Sequence, residues 1–266
     1  MNDAITSAIS TDALYRRHAL DGGAASKLRA DRVWLLAIVA FALVARLFRI
    51  DHQTLWLDEA LTLQRIHRDL GGLVVDSFAS RHMPAYFLLL RLLSFVFGAG
   101  EAWIRIPSAL FGAMSAGMVY VIASRIGSCR AGIVAGLLMA LSPLQVQYGQ
   151  EARSYALVTL LITVALWGLL RLAQQPQRAA IDVRRGDAER IGWCAYAFGT
   201  IAALDVLGDA VPWLIASNLS LWLIWRSLAP SSATRAAFGR NWLWSAAAII
   251  GCIVPFYVAI LAFSDG

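Results

Sequence analysis

Asp58 and Glu59 stand side by side in LWLDEA, a few residues after the first long apolar run of the chain. A carboxylate next to apolar surroundings can be partly desolvated, which suits it to general-base work. It can also hold a hard divalent cation such as Mg²⁺ or Mn²⁺. The competing reading is a helix N-terminus, where Asp and Glu complement the dipole. Composition alone leaves the two readings even. A second concentration of polar side chains lies in YGQEARSY, where Tyr148, Gln150, Glu151, Arg153 and Tyr155 interrupt two apolar runs. A simple turn needs fewer polar groups, and ionisable groups at membrane depth default to function. His82, in HMP, is a candidate ligand or proton carrier, although a lone surface His is the commoner case. Arg105, in WIRIPSALFG, either snorkels to lipid headgroups or grips a phosphate bidentately. Asp205 and Asp209 flank a short turn before Pro212 and read as turn formers.

The elements that must position these residues are apolar helices. Of the 266 residues, 59% are hydrophobic and 15% charged, against about 45–50% and 25% in soluble domains. The net charge of +6 comes from arginines in short gaps between apolar runs. That pattern orients a membrane protein and argues against nucleic acid as a partner. Cys129, Cys194 and Cys252 have no CxxC spacing and read as small packed side chains, not as a disulfide or metal framework. The first residues contain no compact apolar stretch with a cleavage site, so no cleaved signal peptide is expected.

Spans of about 20 apolar residues are expected at 33–50, 105–124, 132–147, 154–172, 191–208, 211–228 and 242–263. An eighth stretch, 84–97, is short and carries Arg91. Were it to span, every arginine-rich gap after it would move outside, against the positive-inside bias. It is therefore read as a helix at the outer membrane surface. The expected fold is all-α, a polytopic bundle of about seven spans. Residues 1–32 form a cytoplasmic N-terminal segment that includes Arg16, Arg17, Lys27, Arg29 and Arg32. Residues 33–266 form one transmembrane module. A long external loop, 51–104, holds two surface helices, one at 84–97 and one near 58–70, where Leu63, Ile66, Leu70 and Leu73 follow helical spacing. Gly132 and Gly136 form a GxxxG, and Ser108 and Gly112 a small-xxx-small pair, both read as close helix packing. Arg46 and Arg49 end the first span, one of them as an anchor.

The order LWLDEA, HMPAYFLLLRLLSFVFG, GEAWIRIPSALFG, LSPLQVQYGQEARSYAL resembles the GT-C superfamily of membrane glycosyltransferases. The branch is that of protein O-mannosyltransferases and aminoarabinose transferases, and the likeness covers about residues 33–172. It implies a sugar donor on a polyprenyl phosphate, a lipid, glycan or protein acceptor, and inverting transfer on the outer face. It implies Asp58 as the base, with Glu59 its usual neighbour, and Arg153 as the contact to donor phosphate. Arg105 matches the arginine at the outer start of the second span. The family's His-Pro-Pro is His82-Met83-Pro84 here. Many bacterial relatives carry a His where Asp205 and Asp209 stand. Full-length relatives continue further, and the C-terminal part of the family is read as missing. The expected location is a bacterial inner membrane with the N-terminus cytoplasmic. The rival readings are a transporter or flippase of an anionic lipid, and a non-catalytic membrane subunit.

Overall fold

The computed structural model describes residues 29–52, 54–98, 100–174, 185–229 and 233–264. Most of the expected cytoplasmic segment, with Arg16, Arg17 and Lys27, lies outside the described residues. Among those described, the secondary structure is helical. α1 covers residues 29–47. Three short helices follow: α2 (Leu57–Ile66), α3 (Leu70–Ala79) and α4 (Ala85–Phe97). The rest of the fold is α5 (Ile106–Ile126), α6 (Cys129–Leu141), α7 (Pro143–Gly149), α8 (Tyr155–Ala173), α9 (Arg185–Val206), α10 (Val211–Ser227) and α11 (Ala233–Ser264).

Each of the seven expected spans coincides with a helix or a helix pair, but the count of seven spans needs correction. Three helical stretches are long and apolar enough to cross a membrane: Trp103–Ile126, Tyr155–Ala173 and Ala233–Phe263. The pair α6 and α7 makes a fourth if its 61° bend lies within one span. The other helices fall short for visible reasons. α1 carries Arg29, Asp31, Arg32 and Arg46. α9 carries Arg185, Asp187, Glu189, Arg190 and Asp205. α10 has only 17 residues.

The expected pair of surface helices is also three. Leu63, Ile66, Leu70 and Leu73 do not share one helix. α2 stops at Ile66, and Asp69 starts α3 by accepting a hydrogen bond from the Gly72 amide at 3.1 Å. A capping Asp outweighs apolar periodicity at that point, because it satisfies an amide that a helix start otherwise leaves open. Arg65 then ties the three short helices into one unit. Its Nε donates to Asp76 of α3 at 2.6 Å, and its guanidinium lies 4.5 Å from the centre of the Phe87 ring in α4. Arg91 donates to the Ile66 carbonyl at the end of α2 at 3.3 Å.

α8 packs between α5 and α9. A Cβ on Gly168 of α8 would come within 2.7 Å of the Gly192 carbonyl of α9, so the two backbones touch. The GxxxG of α6 packs as expected: Cβ atoms at Gly132 and Gly136 would press on Ser124 and Tyr120 of α5 and on Ile38 of α1. α11 leaves Leu243, Trp244, Ile250, Val254, Val258 and Leu261 exposed, an apolar surface that suits lipid contact.

Arg46 is not the interfacial anchor that its place near the end of α1 implies. It is fully buried, and among the described residues no carboxylate pairs with it. Its guanidinium donates to the carbonyls of Ala42 at 3.0 Å, Ala140 at 3.3 Å and Met139 at 3.5 Å. The last two close the end of α6, where the chain bends into α7. Pro143 has no amide hydrogen to give Met139, four residues before it, so the bend leaves carbonyls open. Arg46 fills them from another helix. Gly112 of α5 and Gly149 of α7 make room for it: a Cβ on Gly112 would lie 2.5 Å from Arg46 Nε, and one on Gly149 2.6 Å from its Cδ. The substitution Gly112→Ala is therefore expected to lower stability by about 1–3 kcal/mol, read as an earlier thermal unfolding in detergent. Unchanged unfolding would mean that Arg46 is free to move away.

Candidate functional site

The short helices α2 to α4, the segment from Gln150 to Ser154 and the turn Gly208–Ala210 meet at one end of the bundle. Glu59 fixes that meeting. Its carboxylate is fully buried and accepts from Arg105 Nε at 2.8 Å and Arg105 Nη2 at 2.5 Å. It also accepts from the Ala152 amide at 2.8 Å. Arg105 is buried too, and donates onward to the Ile50 carbonyl at 2.8 Å. One carboxylate thus joins the start of α2, the entry to α5, the end of the α1 turn and the QEARS segment. Glu59 and Arg105 are committed to each other. Arg105 therefore does not snorkel: it is 3% exposed and its guanidinium is turned to Glu59 and the backbone.

Asp58, one residue earlier on the helix, has a different environment. Its side chain is about a third exposed (36%) and lies 3.2 Å from Arg153 Nη2. Both acidic residues stand in the first turn of α2, so the helix-terminus reading and the chemical reading are compatible. Arg153 is held from several sides. Its carbonyl accepts from Ser108 at 3.4 Å, and its guanidinium lies 5.7 Å from the Tyr155 ring. Its Nε is buried and has no hydrogen-bond partner among the described residues.

Arg153 forms part of the wall of a cavity of about 800 Å³. One wall is Arg81, His82, Met83, Tyr86 and Phe87. Facing residues include Gly208, Asp209 and Pro212 from the turn before α10, and Tyr257 and Ile260 from α11. His82 Nδ1 is 2.7 Å from the Ser80 carbonyl, so Nδ1 carries the hydrogen and Nε2 is left as an acceptor. Burial is the main cause that holds the His82 pKa below its ordinary value, aided by the charges of Arg65 and Arg153. The Ser80 carbonyl and Asp58 act in the opposite direction. The neutral imidazole is therefore the form at neutral pH. Tyr86 is 2% exposed, and its hydroxyl has no hydrogen-bond partner among the described residues. Burial pushes that hydroxyl well above the ordinary tyrosine range.

The remaining predicted residues support this wall. Gln150 donates to the carbonyls of Arg46 at 3.2 Å and Phe48 at 2.9 Å, closing the end of α1. Glu151 accepts from Gln147 at 2.9 Å. Tyr148 and Tyr155 stack with ring centres 4.7 Å apart, and Tyr155 reaches the cavity. Asp209 lines the cavity as well, beyond its expected role as a turn former. Asp205, near the end of α9, has a buried oxygen without a hydrogen-bond partner among the described residues. Sequence reasoning missed Tyr86, Tyr257 and Arg81. Tyr86 and Tyr257 look like any aromatic in an apolar run, and Arg81 is one arginine among many. Among the described residues no group of three or more His, Cys, Asp or Glu side chains could hold a metal ion. Asp58 offers a single carboxylate, which could hold a Mg²⁺ or Mn²⁺ ion only together with oxygens of a substrate phosphate. Cys129 is half-buried, but Cys194 and Cys252 are exposed and so are not the packed side chains expected of them.

Residues 81–181 match the family model of dolichyl-phosphate-mannose-protein mannosyltransferases. The match supports a GT-C superfamily glycosyltransferase. It includes His82, Arg105 and the whole YGQEARSY cluster, and begins after Asp58 and Glu59. It spans well under half of the 266 residues. No curated protein and no solved structure matches the chain. Together with the apolar helices, the match supports an integral membrane protein.

Removing one partner of a buried ion pair strands the other and typically costs about 3–5 kcal/mol. Glu59→Ala should therefore destabilise the chain by that order in thermal or denaturant unfolding. A loss below about 1 kcal/mol would show that this end of the bundle is held by other contacts.

Proposed function

We propose that the chain is an inverting glycosyltransferase that takes a sugar from a polyprenyl-phosphate donor and passes it to an acceptor hydroxyl on the outer face of a bacterial inner membrane. The observation that carries this reading is the 3.2 Å approach of Asp58 to Arg153 beside a cavity of about 800 Å³. A base and a phosphate-binding cation are the two groups such a transfer needs close together.

In the proposed reaction the acceptor oxygen attacks the anomeric carbon, and Asp58 removes its proton. The bond between that carbon and the phosphate oxygen breaks, and polyprenyl phosphate leaves with the electron pair. Arg153 meets the charge that develops on the leaving phosphate, and its buried Nε, without a partner among the described residues, is a further donor for a phosphoryl oxygen. His82 Nε2 accepts from a sugar hydroxyl. Asp209, on the facing wall, accepts from another. Glu59 and Arg105 act by position, since their mutual bonds fix the backbone on both sides of Asp58 and Arg153. No step is routed through a metal ion. The acceptor is a lipid, glycan or protein hydroxyl.

General-base help is worth about 10²–10⁴-fold. Asp58→Asn is thus expected to cut sugar transfer by at least about a hundredfold while the chain folds and still binds polyprenyl phosphate. The measurement is transfer of labelled sugar from the lipid donor in vesicles that contain only this protein. Full activity in that variant would sink the mechanism. Movement of the donor across the bilayer without transfer would favour a flippase.

A further inference from the structure

Arg81 has an unusual backbone. Its φ is +58°, in the left-handed region that costs a side-chain-bearing residue energy and that glycine occupies freely. The reason is the end of α3. The Arg81 amide bonds to the Phe78 carbonyl at 2.9 Å, and the His82 amide to the Ser77 carbonyl at 2.8 Å. This double closure is the Schellman motif, and Arg81 holds the position that is usually Gly. The turn alone gives no reason for an arginine there.

The cavity does. Arg81 lines it and is exposed, and its guanidinium makes no hydrogen bond or ion pair among the described residues. Arg153 shares its charge with Asp58. His82 is neutral at neutral pH, for the reasons given above. The facing wall carries Asp209. Arg81 is thus the uncommitted full positive charge on a cavity whose other arginine is already paired.

We propose that Arg81 is a substrate-binding residue, which draws the phosphate of a lipid-linked ligand into the cavity and hands part of its charge to Arg153. This rests on the cavity being the donor site. The strained backbone is kept because the turn aims a cation where glycine would supply none. Phosphate is the chemistry recognised, because a guanidinium grips its oxygens in pairs.

Arg81→Gly separates fold from function, since glycine suits the turn better than arginine. Binding of polyprenyl phosphate to the purified full-length chain in neutral-lipid vesicles, with uncharged polyprenol as control, gives the readout. Arg81→Gly is expected to unfold at the same temperature or higher and to bind polyprenyl phosphate about tenfold more weakly. Arg81→Lys should recover most of the affinity, and added salt should shrink the difference. Equal affinity in wild type and Arg81→Gly would overturn the proposal, and so would no binding by wild type. Equal displacement by inorganic phosphate or phosphatidylglycerol would also overturn it, since the site would then take any anion. A wild type that binds the lipid through Arg81 but transfers no sugar would leave the inference standing and remove the transferase reading.

Discussion

A buried carboxylate in a helical bundle is unfavourable unless each of its oxygens has a partner, and Glu59 meets that condition through Arg105 and the Ala152 amide. Those bonds cross between segments far apart in the chain. They set α2 against the entry to α5 and against the QEARS segment. Asp58 and Arg153 approach each other because their immediate neighbours are locked together. The adjacent acids therefore differ: Glu59 is buried and fixes the geometry, while Asp58 stays partly exposed and meets Arg153.

A second buried arginine serves the same end of the bundle by another route. Arg46 closes carbonyls that Pro143 leaves open, and Gly112 and Gly149 are small so that it fits. The bend that results carries the chain from α6 through α7 into the segment that holds Arg153. Arg46, Glu59 and Arg105 thus serve the interior, while Arg81 and Arg153 line the cavity.

The sequence makes much of this legible, since helical class, the small-residue contacts and the polar clusters all follow from residue type and spacing. Charge bias and motif order put Asp58 and Arg153 on one face although they are far apart in the chain, and the structure brings their side chains within 3.2 Å. Other features were not readable. Asp69 breaks what apolar spacing presents as one helix, because a single capping hydrogen bond decides a helix boundary that hydropathy does not see. The number of spans is overcounted because α1 and α9 have apolar middles with charged ends. The buried pairing of Glu59 with Arg105 leaves no mark in the sequence, since it depends on contacts between distant segments. Arg81 is invisible, because a positive φ leaves no mark on an arginine codon by codon.

The claim at the centre is that the cavity between the His82 wall and the Asp209 turn receives a lipid phosphate. A photoreactive polyprenyl phosphate, cross-linked to the protein in vesicles and mapped by mass spectrometry, tests it directly. The label should fall on peptides that contain Arg81 to Phe87 and Val206 to Pro212, and unlabelled polyprenyl phosphate should suppress it. Labelling confined to the exposed face of α11, with no suppression by the unlabelled lipid, would contradict the account.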